Sequence, residues 1–153
     1  MKKDKIIGLI TIVVGVFYII YTVSNIQTLF FSNLNIEKIF PEFNYYKQYY
    51  TYLKWLFWGI FGIFSGYSLI RERKIGWILS CSFWGDIFIE RFFSSILNLK
   101  NFRLYTEIQT LVCLIILLII ISKLFLIKYE VDKNSWLKVS FIIIILIFIN
   151  QVY

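Results

Sequence analysis

The sequence predicts an all-α fold, a polytopic bundle of transmembrane helices with five spans, and three observations predict it. Of its 153 residues, 59% are apolar and 21% aromatic, where soluble domains carry about 45–50% apolar residues. The apolar residues collect into five runs, each near the length of about 20 residues that a helix needs to cross a bilayer core of about 30 Å. The basic residues collect at the ends of those runs, the distribution membrane proteins use to fix orientation. A soluble domain of this size leaves much of its surface wet and could not hide this much apolar area.

The first run, 6–24, with a continuation toward Phe31 left open, follows the charged start MKKDK. It is longer than the roughly 7–15 residues of a signal-peptide core, and Thr22-Val23-Ser24 is a poor cleavage site, so the expectation is a retained span. The second run, 52–70, ends in Arg71-Glu72-Arg73-Lys74. A link this short forces the third run, 75–97, to return antiparallel beside the second. The fourth run is 108–127 and the fifth 136–152, the latter almost purely Ile, Leu and Phe.

The third run contains Asp86, Glu90 and Arg91. On an insertion scale each such charge costs about 2.5–3.5 kcal/mol at the centre of a span, whereas each Leu, Ile or Phe contributes about 0.3–0.6. Its apolar residues therefore offer about 3–7 kcal/mol against a penalty of about 7–10. The helix would be marginal alone. Paired with the second run as a hairpin, it can turn its charges to protein instead of lipid.

Five spans place Lys2, Lys3, Lys5, Arg71, Arg73, Lys74, Lys123, Lys128, Lys133 and Lys138 on one side. Lys38, Lys47, Lys54, Lys100 and Arg103 fall on the other. Ten against five predicts a cytoplasmic N-terminus and an outer C-terminus, with the inner membrane of a bacterium as the expected location. The 25–51 connection is then external. It holds the one proline, Pro41, and a dense aromatic set including Phe30, Phe31, Phe40, Phe43, Tyr45, Tyr46, Tyr49 and Tyr50, which suits an interfacial segment at headgroup level. No repeat or linker divides the chain, so 1–153 reads as a single integral membrane domain.

Small residues mark the expected packing seams. Gly8 and Gly15 lie on one face of the first helix; Gly59, Gly62 and Gly66 recur on one face of the second. Small residues let helix backbones approach closely, which matters where lipid is as apolar as the side chains. An intramolecular seam is expected, with a homo-oligomer or protein partner on these faces as the alternative.

Several chemistries drop out. The chain has no His, the commonest metal ligand and the usual general base. Cys81 and Cys113 stand alone inside apolar runs, without a C-x-x-C pattern, and are expected as free thiols. The net charge of +7 sits at span ends, so the partner expected is the lipid bilayer and not nucleic acid. Neither a metal, a cofactor nor a catalytic constellation is expected.

The remaining polar candidates are Lys54, Asp86, Glu90 and Arg91. Asp86 and Glu90, four residues apart, share a helix face, and Arg91 points about 100° away. Reflection about the Arg71–Lys74 link places Lys54 level with Glu90 and Arg91, and Gly59 level with Asp86. Glu107 is a further partner for Arg91. Two roles suit these residues: an ionic network that fixes helix register, or an ion or proton path. The functional expectation is a non-enzymatic accessory or partner-binding membrane component, with a small ion- or proton-linked transporter as the alternative.

Overall fold

The computed structural model describes residues 3–32, 45–97 and 104–151, and every regular element among them is helical. Helix α1 spans Lys3–Ser32, α2 Tyr45–Ile70, α3 Lys74–Leu97, α4 Leu104–Ile120, α5 Lys123–Lys128 and α6 Lys133–Gln151. Two stretches, Lys3–Gln27 and Tyr49–Ile70, are long and apolar enough to cross a membrane by length and composition; Glu107–Ile120 is apolar but shorter.

Helix takes up the continuation of the first run toward Phe31, and the second run begins earlier than expected. Helix α1 runs on to Ser32 and α2 starts at Tyr45, so helix occupies both ends of the expected 25–51 connection. Neither end contains Gly or Pro to stop a helix, and the Asn25 side-chain amide donates to the Tyr21 carbonyl, 2.7 Å away, within the continuing helix. The 33–44 segment, with Phe40, Pro41 and Phe43, lies outside the described residues.

The fourth run is also not one helix. It breaks after Ile120, because Ser122 takes an extended conformation (φ −62°, ψ 151°) at the start of α5. The break leaves the Ile120 carbonyl without a helical partner, and the indole N–H of Trp77 donates to it at 2.9 Å. A buried carbonyl needs such a donor, so a side chain from α3 makes the interruption tolerable.

Helices α1 and α2 pack antiparallel through reciprocal glycine contacts. A Cβ on Gly15 would lie 2.6 Å from the Gly59 carbonyl oxygen, and one on Gly59 would lie 2.8 Å from that of Gly15. Gly8 and Gly66 meet in the same way seven residues along each helix. Gly62 faces the Gly15 Cα and the Phe83 ring. All five glycines therefore lie in contacts within the chain.

The α2–α3 hairpin keeps one register along its length. Ser65 and Ser80 hydroxyls hydrogen-bond at 2.8 Å, Gly62 meets Phe83, and Gly76 presses its backbone onto Ser68 and Leu69. Each pair sits where reflection about the short link puts it. Helix α3 then occupies the centre, against α2, α4 and α6. From Gly76 to Ile87 every residue is buried except Leu79, which is half-buried. Trp84 ties α3 to α1 by donating from its indole to the Thr11 hydroxyl at 3.0 Å, while Thr11 donates to the Ile7 carbonyl at 2.8 Å. Trp58, Phe61, Phe83 and Trp84 pack ring to ring beside this link, with centroids 5.5–6.1 Å apart.

Polar residues thus lie inside. Thr11, Thr22, Ser65, Ser68, Ser80, Ser82 and Asp86 are buried, while Val13, Phe17 and Ile20 of α1, Phe57, Ile60 and Phe64 of α2, and Phe141, Ile144 and Phe148 of α6 are exposed.

Candidate functional site

Two polar places stand out. The first is a small cavity of about 20 Å³ lined by Tyr18 of α1, Lys54, Trp55 and Trp58 of α2, and Ile87, Glu90 and Arg91 of α3. The hairpin register supplies most of this convergence: Lys54, Trp55 and Trp58 of α2 are level with Arg91, Glu90 and Ile87 of α3. Tyr18 enters because the glycine seam brings α1 close to α2, and its hydroxyl lies within hydrogen-bonding reach of the Arg91 guanidinium. Tyr18 lies three residues from Gly15 on the same face of α1, so the seam carries it inward; its place beside Arg91 was not read from the sequence, since no short connection fixes the depth of α1 against the hairpin.

A volume of about 20 Å³ admits roughly one water. Two cationic side chains, a carboxylate and a phenol surround this space, with Lys54 and Arg91 half-buried and Glu90 exposed. Tyr21 and Tyr52 each meet the Trp55 ring nearby at a tilt, with centroids 5.2 and 5.8 Å apart. Asp86 lies one turn from Glu90 toward the α3 N-terminus. It is only 1% exposed and does not line the cavity. Glu107 does not line it either.

The second place is the base of the bundle, where the start of α1, the α2–α3 turn and the α5–α6 turn meet. The Lys128 ammonium binds the Asp4 carboxylate and lies 3.1 Å from Glu72. Burial acts to lower its pKa, but the hydrogen bonds and charges of Asp4 and Glu72 outweigh burial and hold it above the ordinary lysine value. The neighbouring Tyr129 hydroxyl donates to the Leu69 carbonyl at 3.2 Å. Lys74 pairs with Asp132 at 3.2 Å.

Both turns at the base close in the same way. The Glu72 N–H reaches the Leu69 carbonyl and the Arg73 N–H the Ser68 carbonyl; Glu130 and Val131 repeat these bonds to Ile127 and Leu126. Each Glu takes a left-handed conformation, φ 56° at Glu72 and 48° at Glu130, the position that glycine usually fills in this helix stop. The tryptophans that follow, Trp77 and Trp136, then meet edge to face at 5.2 Å.

Asp132 also starts α6. Its Oδ1 accepts from the Ser135 backbone N–H at 2.8 Å and from the Ser135 hydroxyl at 2.5 Å. The Ser135 hydroxyl and N–H, and then Lys74, hold its carboxyl well below the usual carboxylate range. Asp132-x-x-Ser135 is a helix-start pattern that the sequence does carry.

Among the described residues no cluster of metal-ligating side chains is formed. Cys81 and Cys113 are free and buried. No protein-family model, curated protein or solved structure matches the chain.

Proposed function

We propose that this chain is a non-enzymatic integral membrane protein, an accessory or partner-binding component built as a five-span bundle. The observation that carries the reading is the distribution of polarity: hydroxyls and Asp86 are buried, and the outward faces of α1, α2, α4 and α6 carry exposed apolar side chains. In water that arrangement would be costly, whereas in lipid it satisfies polar groups internally and leaves apolar ones outside. The ion-paired base, with its excess of Lys and Arg, then faces the cytoplasm, in the inner membrane if the source is a bacterium. Helix α1, at about 1.5 Å per residue, is about 45 Å long and extends past the bilayer core.

Fractionation of expressing cells, followed by crosslinking in native membranes, tests this reading. Expected are recovery with the membranes and a stable crosslinked partner or oligomer. Recovery in the soluble fraction, or the absence of any crosslinked species, would count against it.

The second reading, a small ion- or proton-linked transporter, is favoured by one observation: Asp86, a carboxylate only 1% exposed, lies one turn from Glu90. Asp86→Asn and Glu90→Gln separate the two. If the charges hold the bundle together, the variants melt lower than the parent in detergent. If the variants are equally stable and reconstituted vesicles carry a proton or cation flux that they abolish, the transporter reading replaces the first.

A further inference from the structure

An open groove of about 690 Å³ lies at the base between the first turn of α1 and the α4–α5 break. Its wall is apolar, formed by Ile115, Leu118 and Ile119 with Leu124 and Phe125, and its polar end is formed by Lys3, Asp4, Ser122 and Lys128. From Ser122 to Ile115 the wall rises about 10 Å along the chain. The groove exists because α1 packs along α2, while α5 turns aside at Ser122 instead of prolonging α4.

We propose that this groove holds an anionic phospholipid of the cytoplasmic leaflet, with its phosphate at Lys3, Ser122 and Lys128 and an acyl chain along Ile115 and Leu118. The proposal rests on the bilayer reading given above. Three features select this occupant. The lining changes from charged to apolar along one direction, the order in which a lipid presents its headgroup and chain. The Ser122 hydroxyl makes no capping hydrogen bond to α5, so its own helix does not spend it.

The charge balance of the base is the third feature. Asp4 and Glu72 are both drawn to Lys128, and Asp132 to Lys74. Glu130 is the acid outside these pairs, against Lys3, Lys5, Arg71, Arg73, Lys123 and Lys133. The base therefore favours an anionic headgroup over a zwitterionic one. Leu118 and Leu124, 55% and 71% exposed, supply apolar surface that the protein itself leaves uncovered.

The test uses the full chain, extracted in a neutral detergent and offered equal amounts of phosphatidylglycerol and phosphatidylcholine with the same acyl chains. Retained lipid is read by native mass spectrometry. The expected result is about a fivefold preference for phosphatidylglycerol, the scale that one well-placed cation supplies. Ile115→Trp and Leu118→Trp, both at exposed positions, fill the groove and should abolish retention without lowering the melting temperature. Lys3→Gln, at the exposed start of α1, should erase the preference while leaving the apolar wall intact. Equal retention of the two lipids by the parent, or unchanged retention in both Trp variants, overturns the proposal and leaves the bilayer reading standing. Recovery of the chain as a soluble protein removes both.

Discussion

Lys128 binds Asp4 across 124 residues of sequence, and through this contact the short helix α5 fastens the start of α1 to the base of the bundle. The Asp4 side chain is only 4% exposed and that of Lys128 30%. Removing the ammonium would leave a buried carboxylate without its charged partner. Lys128→Met should therefore lower stability by about 1–3 kcal/mol, the cost of an unsatisfied buried polar group, while Asp4→Asn should cost less because no charge is stranded. Thermal melts in detergent check this; equal melting of Lys128→Met and the parent would mean that the pair contributes nothing.

The glycine seam makes a second, sharper prediction. Cβ atoms on Gly15 or Gly59 would meet backbone carbonyl oxygens at 2.6 and 2.8 Å, and backbone cannot rotate away as a side chain can. Gly15→Ala and Gly59→Ala should each cost about 1–3 kcal/mol, the usual range for overpacking. Gly85 is the control, since its Cβ would meet only the Ile143 side chain, nearest at 3.0 Å. Gly85→Ala should be much milder. Similar losses at all three positions would show that the α1–α2 contact is looser than described.

The hairpin was legible because a four-residue link leaves no freedom of register: Ser65–Ser80 and Gly62–Phe83 fall where counting from both sides of Arg71–Lys74 puts them. The same counting makes Lys54 level with Arg91, and the two line one cavity. The glycine steps put Tyr18 on the seam face of α1, but its meeting with Arg91 was not legible, because no short connection fixes the depth of α1 against the hairpin. The break at Ser122 was hidden for a different reason. Leu111–Ile121 is apolar on every face, so no periodicity marks a stop; the Ser122-Lys123 pair is the one local signal, and the stabilising donor is Trp77, 43 residues away. The two left-handed glutamates were hidden because glycine is the residue that signals such a stop.

Asp132 gives the pH prediction. Its folded-state pKa is depressed, first by the Ser135 hydroxyl and N–H and then by Lys74. A depressed carboxyl contributes stability that is fully present above its ordinary pKa of about 3.9 and is lost as pH falls below it. The parent's melting temperature should therefore fall as pH is taken from 5 toward 3. Asp132→Asn keeps a residue that can start a helix but cannot titrate, and its melting temperature should fall less over the same range. Parallel curves for the two proteins would mean that Asp132 makes no difference to acid stability.

The two glutamates at the base occupy equivalent positions but should respond differently to glycine. A non-glycine residue in the left-handed region carries a penalty of about 1–2 kcal/mol, which Glu130→Gly and Glu72→Gly both remove. Glu130 forms none of the ion pairs at the base given above, so Glu130→Gly should raise stability by up to about 1 kcal/mol once the greater freedom of the unfolded glycine is subtracted. Glu72 also holds Lys128 at 3.1 Å. Glu72→Gly gives up that contact while gaining the same relief, so its net effect should be smaller than that of Glu130→Gly or destabilising. Comparing each with Lys128→Met separates the terms: if the Lys128 contact matters, Glu72→Gly should be better tolerated in the Lys128→Met background than in the parent. An effect of Glu72→Gly that is identical in both backgrounds would show that Lys128 draws its stabilising role from Asp4 alone.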